Sequence, residues 1–162
     1  MEWKTRSFVG LFLLFLLCSC DSGTYFSEFK KLPESGWPQS NQPEFLVNID
    51  DTSRVFDVQV MFRHAPQYPF QNLYLFMHTT FPSEKQITDT LTLFLFDAGG
   101  KPLGSCMGDL CDVEFKYRSR VKFPERGEYR FRLEHRMRTP DGILPLVMDA
   151  GLRLQNSVRN EK

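Results

Sequence analysis

The sequence shows no excess of charge of either sign: its 162 residues carry 20 Lys and Arg against 20 Asp and Glu. A dedicated nucleic-acid binder usually shows a strong basic excess, so a nucleic-acid partner is disfavoured. Long hydrophobic runs are missing too. The stretch Phe8 to Leu17 has ten residues, where a bilayer-spanning helix needs about 20. Histidine is scarce, and His64, His78 and His135 fall in separate strand segments without metal-ligand spacing. No Gly-x-Ser-x-Gly elbow, His-Glu-x-x-His helix or phosphate-cradling glycine loop occurs. No catalytic set, metal or cofactor is therefore expected, and His135, on the apolar side of its strand, reads as a satisfied core histidine. Asp50-Asp51-Thr52-Ser53 and Asp89 read as solvated turn residues rather than calcium ligands. Aromatic residues, by contrast, are plentiful. Phe alone occurs 16 times, ample for the core of one compact domain or of a small domain plus a tail.

Lys4 and Arg6 precede the short apolar stretch, and Leu17-Cys18-Ser19-Cys20 closes it. A basic start, a short apolar core and small residues form the layout of a secretory signal. The closing residues resemble a bacterial lipobox, in which a small residue precedes a cysteine that is lipidated and becomes the mature N-terminus. Cys20 fits, because Ser19 is small; Cys18 does not, because Leu17 stands before it. Residues 1–19 are thus expected to be a lipoprotein signal peptide and Cys20 the lipidation site. Each buried acyl CH₂ contributes about 0.8 kcal/mol, so several chains anchor stably without crossing the membrane. Such a protein would face the periplasm; Asp21 favours inner-membrane retention in some bacteria but leaves the target membrane open, and the lack of an acidic run after Cys20 disfavours surface export. Cys106 and Cys111 are the cysteines left over. In an oxidising compartment they suit a disulfide across a small loop, worth about 2 kcal/mol. The rival reading, a metal or redox pair, lacks a nearby His.

Residues 21–43 are rich in Ser, Gly, Pro, Gln and Asn, so 20–43 reads as the lipidated Cys and a tether lifting a domain off the membrane. Phe26, Phe29, Leu32 and Trp37 interrupt that polarity and predict partial packing onto the domain. Residues 44–157 read as the domain and 158–162 as a C-terminal tail. Within the domain the dominant period is two. Phe45, Val47 and Ile49 alternate with polar residues, as do Phe56, Val58, Val60 and Phe62. Asn72 to Phe81 is a third such segment; Val113, Phe115 and Tyr117 mark another. Tyr129, Phe131, Leu133, His135 and Met137 mark the clearest strand. Asp89 to Asp97 is apolar on both sides, the pattern of a central strand, and Leu144 to Leu154 is a last apolar segment broken by Gly151. No window shows a helical period. The pattern predicts an all-β fold, an antiparallel β-sandwich, with jelly-roll and immunoglobulin-like wirings both open.

The neutral total conceals an uneven distribution. Residues 21–112 carry 12 acids and six bases, whereas residues 113–138 carry nine bases and four acids. Arg118, Arg120, Arg130, Arg132, Arg136 and Arg138 alternate with apolar residues, so two neighbouring strands would expose them as one basic face. That face reads either as a docking surface for an acidic protein, lipid headgroups or glycan phosphate, or as a solvated face neutralised by cross-strand acids.

Three stretches, taken in order, resemble the gliding-motility lipoprotein GldH family of the Bacteroidetes. They are Tyr68-Pro69-Phe70-Gln71-Asn72-Leu73-Tyr74-Leu75-Phe76, then Asp89-Thr90-Leu91 through Asp97 with Gly100-Lys101-Pro102-Leu103-Gly104, then Met137-Arg138 leading to Asp149-Ala150-Gly151-Leu152-Arg153. With the lipobox, the likeness spans nearly the whole chain; the Cys106/Cys111 pair lies outside it. The resemblance implies a lipid-anchored, non-enzymatic accessory of the gliding apparatus, tied to type IX secretion machinery, whose partners are other envelope proteins. It supplies no catalytic residues. The alternative is a carbohydrate- or ligand-binding periplasmic lipoprotein that uses exposed aromatics such as Tyr68, Phe70 or Tyr74, although their place beside a strand favours core packing for them.

Overall fold

Alternation becomes a strand where one side of it can be buried, and a computed structural model shows this over the described residues, 23–157. The signal peptide, Cys20 and the C-terminal tail, residues 158–162, lie outside them. The strands are β1 (Thr24–Lys31), β2 (Trp37–Pro38), β3 (Glu44–Ile49), β4 (Phe56–His64), β5 (Asn72–Thr80) and β6 (Gln86–Phe94). They continue with β7 (Ser105–Met107), β8 (Leu110–Val121), β9 (Gly127–His135), β10 (Ile143–Leu144) and β11 (Val147–Asn156). One antiparallel sheet runs β1-β11-β4-β8-β7 and a second β3-β9-β5-β6, with β2 and β10 as a short separate pair. Val58, Val60, Phe62, Leu152 and Leu154 from the first sheet are buried together with Phe45, Val47, Leu75, Met77 and Phe131 from the second. Burying each such side chain stabilises the fold by roughly 1.5–3 kcal/mol. The fold is an all-β sandwich.

The sandwich begins earlier than composition suggests. Residues 24–31, expected as tether, form the edge strand β1 paired along β11, and Trp37 is fully buried with its indole N–H donated to the Asn41 carbonyl at 2.6 Å. Polar composition misled because an edge strand on a solvated flank needs few apolar residues. The sheet therefore starts at Thr24, not at residue 44.

Two other expectations are corrected. The Asp89–Asp97 segment is not a central strand: β6 is the outermost strand of its sheet and ends at Phe94, which is 52% exposed. Beyond it Leu95 and Phe96 both turn into the core, which explains the apolar residues of both parities. Gly151 does not break the last segment either, since β11 runs straight through it. Its missing side chain makes room for the facing Phe29, whose ring carbon would lie 2.8 Å from a Cβ at that position.

The two sheets share a proximal end, where β1 begins. There Thr24 pairs with Gln155, and Phe56 pairs with both Asn156 and Val121. The second sheet ends at the same level with Ile49 against Gly127 and Thr80 against Gln86, and the Tyr25 hydroxyl ties the sheets by donating to the Asn48 carbonyl at 2.7 Å. The opposite, distal end carries the 65–71 loop, the 95–104 connection and the 136–142 loop.

Candidate functional site

The arginines singled out by charge do not share a face. β8 pairs with β4 and β7, whereas β9 pairs with β3 and β5, so Arg118 and Arg120 belong to one sheet and Arg130 and Arg132 to the other. The chain crosses between sheets through Lys122–Arg126 instead of forming a hairpin. Alternation reports which side of a strand is buried, not which strand lies beside it.

Several of these cations are already engaged. Arg118 meets Asp89 at 2.9 Å, Arg130 meets Glu44 at 3.5 Å and Arg136 meets Glu134 at 2.8 Å. Arg120, Arg132 and Arg138 form no ion pair among the described residues. Asp89 is not a turn residue: its carboxylate, in the middle of β6, also accepts the Tyr117 hydroxyl. That hydrogen bond, with the Arg118 charge, holds the Asp89 carboxyl below its ordinary range. Burial, reinforced by Asp89, pushes the Tyr117 phenol up to about 12.

Two aromatic residues meet towards the distal end, on the outer side of the second sheet. Tyr74 and Phe76 from β5, with Arg136, Met137 and Arg138 just after β9, line a groove of about 620 Å³. The Arg136 N–H donates to the Tyr74 carbonyl at 2.8 Å, and the Met137 sulfur accepts the Tyr74 N–H at 3.2 Å, so β9 and β5 stay joined beyond the regular ladder. The Arg136 guanidinium lies 5.1 Å from the Phe76 ring centre, a cation–π arrangement. Glu134 is held between Arg136 and His78, whose ring nitrogen lies 2.9 Å away. Burial raises its carboxyl, but the hydrogen bonds from His78 and Arg136 outweigh this and leave it below the usual range. The groove thus offers two aromatic rings beside one braced and one unpaired guanidinium, a combination able to stack on a ring or apolar side chain while pairing with an anion.

The family model for the GldH lipoprotein matches residues 24–154. The chain belongs to the GldH lipoprotein family. A curated relative, the gliding motility lipoprotein GldH homolog of Christiangramia forsetii, is 30% identical over 155 residues, covering 93% of this chain and 94% of its own length. The gliding motility lipoprotein GldH of Flavobacterium johnsoniae is 28% identical over 153 residues, covering 90% and 94%. No solved structure matches the chain. The resemblance read from three ordered stretches is therefore the family, and the GldH match starts at the first residue of β1 and ends inside β11.

In this GldH chain the remaining sequence candidates lie elsewhere. Tyr68 is buried, stacks parallel to Phe96 and donates its hydroxyl to the Asn72 carbonyl, so it packs the core instead of lining the groove. Phe70 is half-buried against it. Cys106 and Cys111 are cross-strand partners of the β7–β8 hairpin and are joined by a disulfide, with Met107 at 87% exposure beyond them. Asp51 accepts the Ser53 N–H and hydroxyl in a local turn. His135 is buried edge-on against Trp37 at 5.2 Å, with the Trp37 backbone as the group that favours its charged form, although neither ring nitrogen meets a partner in strict hydrogen-bond geometry. No cluster of three or more His, Cys, Asp or Glu able to hold a metal occurs among the described residues. Sequence reasoning passed over Phe76, Met137 and the Asp89–Tyr117 contact. The groove joins two strands distant in sequence, and only the alternating parity of Tyr74, Phe76 and His78 hinted at a shared outer face.

Proposed function

We propose that this GldH family member is a lipid-anchored, non-enzymatic envelope protein, facing the periplasm and acting as an accessory or assembly component of the gliding-motility and type IX secretion apparatus. The observation that carries this reading is the family match across the folded sandwich, joined to relatives named gliding motility lipoproteins. The lipobox ending at Cys20 supplies the anchor, and other envelope proteins are the partners. The distal groove, with Arg136 and Arg138 beside Tyr74 and Phe76, is its docking surface. Replacing Cys20 with Ala tests the anchor: acyl labelling is expected to vanish and the protein to leave the membrane, and retained labelling defeats the reading. A photo-crosslinker at Arg138 tests the partner: cross-links to secretion or gliding components are expected, and cross-links to none of them defeat it.

One observation favours a second reading, a carbohydrate- or ligand-binding lipoprotein. The groove couples aromatic faces to arginines, which is also the chemistry that holds acidic sugars. Glycan recovered with the protein from intact envelopes, without any protein partner, would support it over the first.

A further inference from the structure

We propose that the proximal end of the sandwich docks on the membrane surface, binding anionic lipid headgroups through Arg120, Lys122 and Arg126. This rests on the Cys20 anchor proposed above. Chain length carries the first step. Cys20 is four peptide steps from Thr24, the first residue of β1, and four steps reach at most about 14 Å. No tether remains to lift the domain, so the end where β1 starts stays close to the acylated cysteine. A nine-residue strand such as β5 extends roughly 30 Å. The groove at the distal end is thereby left open to partners.

Charge carries the second step. The proximal end is not basic by count, because Asp50, Asp51, Asp57, Glu84, Glu125 and Glu128 are all there. Four of these carboxylates are occupied internally. Asp50 accepts the Tyr25 hydroxyl at 3.0 Å, Asp51 accepts the Ser53 N–H at 2.9 Å, and Asp57 accepts the Arg120 N–H at 2.8 Å while meeting Lys116 at 3.4 Å. Glu125 accepts both the N–H and the hydroxyl of Ser83. Arg120, Lys122 and Arg126 are exposed and form no ion pair among the described residues, although Arg126 acts on Asp51 through space. Asp51 and Glu125 stay charged but are folded back onto Ser53 and Ser83, so with Lys85 these cations equal in number the four carboxylates that meet no cation among the described residues, Asp51, Glu84, Glu125 and Glu128, and they are the longer, freer side chains. The Arg120 backbone is left-handed, with φ 54°, and its N–H bond to Asp57 holds it so, which fixes where this cation leaves the sheet.

Apolar surface carries the third. A cleft of about 260 Å³ opens between the sheets at this end, among Phe81, Ile87, Val121, Phe123 and Pro124, with Lys122 on its lining. Apolar groups flanked by unpaired cations match the interfacial layer, where acyl chains begin below anionic headgroups. Each Lys or Arg held near such a surface strengthens partitioning by about fivefold.

The test uses the full-length acylated protein in vesicles of phosphatidylethanolamine with or without phosphatidylglycerol. An amine-reactive label is read by mass spectrometry at Lys122 and Lys85, with Lys101 at the distal end as reference. Labelling of Lys122 relative to Lys101 is expected to fall fivefold or more on the anionic vesicles only, and Arg120→Glu with Arg126→Glu to reverse the fall. If the protein floats with both vesicle types but Lys122 stays as reactive as Lys101, the docking is wrong and the anchor stands. Equal protection on both vesicle types overturns the headgroup contact. Protection that requires added envelope proteins assigns this end to a protein partner and overturns it too. Loss of both flotation and acyl labelling overturns the anchor and, with it, the docking. The wild-type comparison between vesicles decides the matter even if the double variant misfolds.

Discussion

The hydroxyl of Tyr117 on β8 donates to the Asp89 carboxylate on β6, so a half-buried phenol of one sheet is bonded to the outer strand of the other. Arg118 joins the same carboxylate, and Tyr25 makes the corresponding tie on the opposite flank through Asn48. Each flank of the sandwich is thus closed by a tyrosine. An inward-facing charge in mid-strand also discourages another chain from pairing with the exposed edge of β6.

Removing that contact should loosen one flank alone. Tyr117→Phe deletes a hydrogen bond to a charged group and is expected to cost about 1.5–3 kcal/mol in denaturant unfolding. The Asp89 carboxyl is held below its unfolded value, so its stabilisation is complete above about pH 4 and disappears as pH falls through the folded value. Asp89→Asn should therefore flatten the acid side of the stability curve. An unchanged acid limb would show that Asp89 contributes nothing to it.

Gly151 and Phe29 make the attachment of β1 sensitive to a single methyl group. A Cβ at 151 would stand 2.8 Å from the Phe29 ring, over which the Arg63 guanidinium also lies at 4.3 Å. Gly151→Ala is expected to cost about 1–3 kcal/mol and to expose β1 first, seen as early amide exchange across residues 24–31. Adding Phe29→Ala should recover part of the exchange protection. A silent Gly151→Ala would mean that β1 shifts at no cost.

The two buried histidines create a pH dependence at milder acidity. Burial lowers both His64 and His135, so each is neutral in the folded protein where the unfolded chain would already bind a proton. Their contribution is complete above about pH 6.5 and is lost as pH falls below it. His135→Leu should reduce the change in melting temperature between pH 7.5 and 5.5. A slope that matches wild type would place the dependence on other groups.

Docking through the distal groove has a charge signature. Arg136→Gln and Arg138→Glu together should abolish partner capture while lowering the melting temperature by no more than a few degrees, because Arg138 has no ion pair to lose among the described residues and Arg136→Gln sets no like charge beside the largely buried Glu134, which keeps His78. Arg130→Glu with Arg132→Glu, across the same sheet but outside the groove, should weaken capture less. Equal losses from both pairs would assign docking to the whole sheet face.

The strict alternation around Val47, Val60, Leu75, Phe115 and Phe131 determined, without any structure, that the chain is all-β and which side chains are buried. Side-chain direction in a strand is a local property with a period of two. The ordered stretches from Tyr68 to Arg153 likewise carried the GldH family in the linear sequence. Strand neighbours are not local. Only the tertiary structure placed Arg118 and Arg130 on different sheets and moved the segment after Asp89 from the centre to an edge. It also turned Asp89 from a turn residue into the partner of Tyr117, and it absorbed the presumed tether by setting Phe29 over Gly151. Those outcomes depend on which segments meet across long loops, and that pairing is decided by the packing of the whole core.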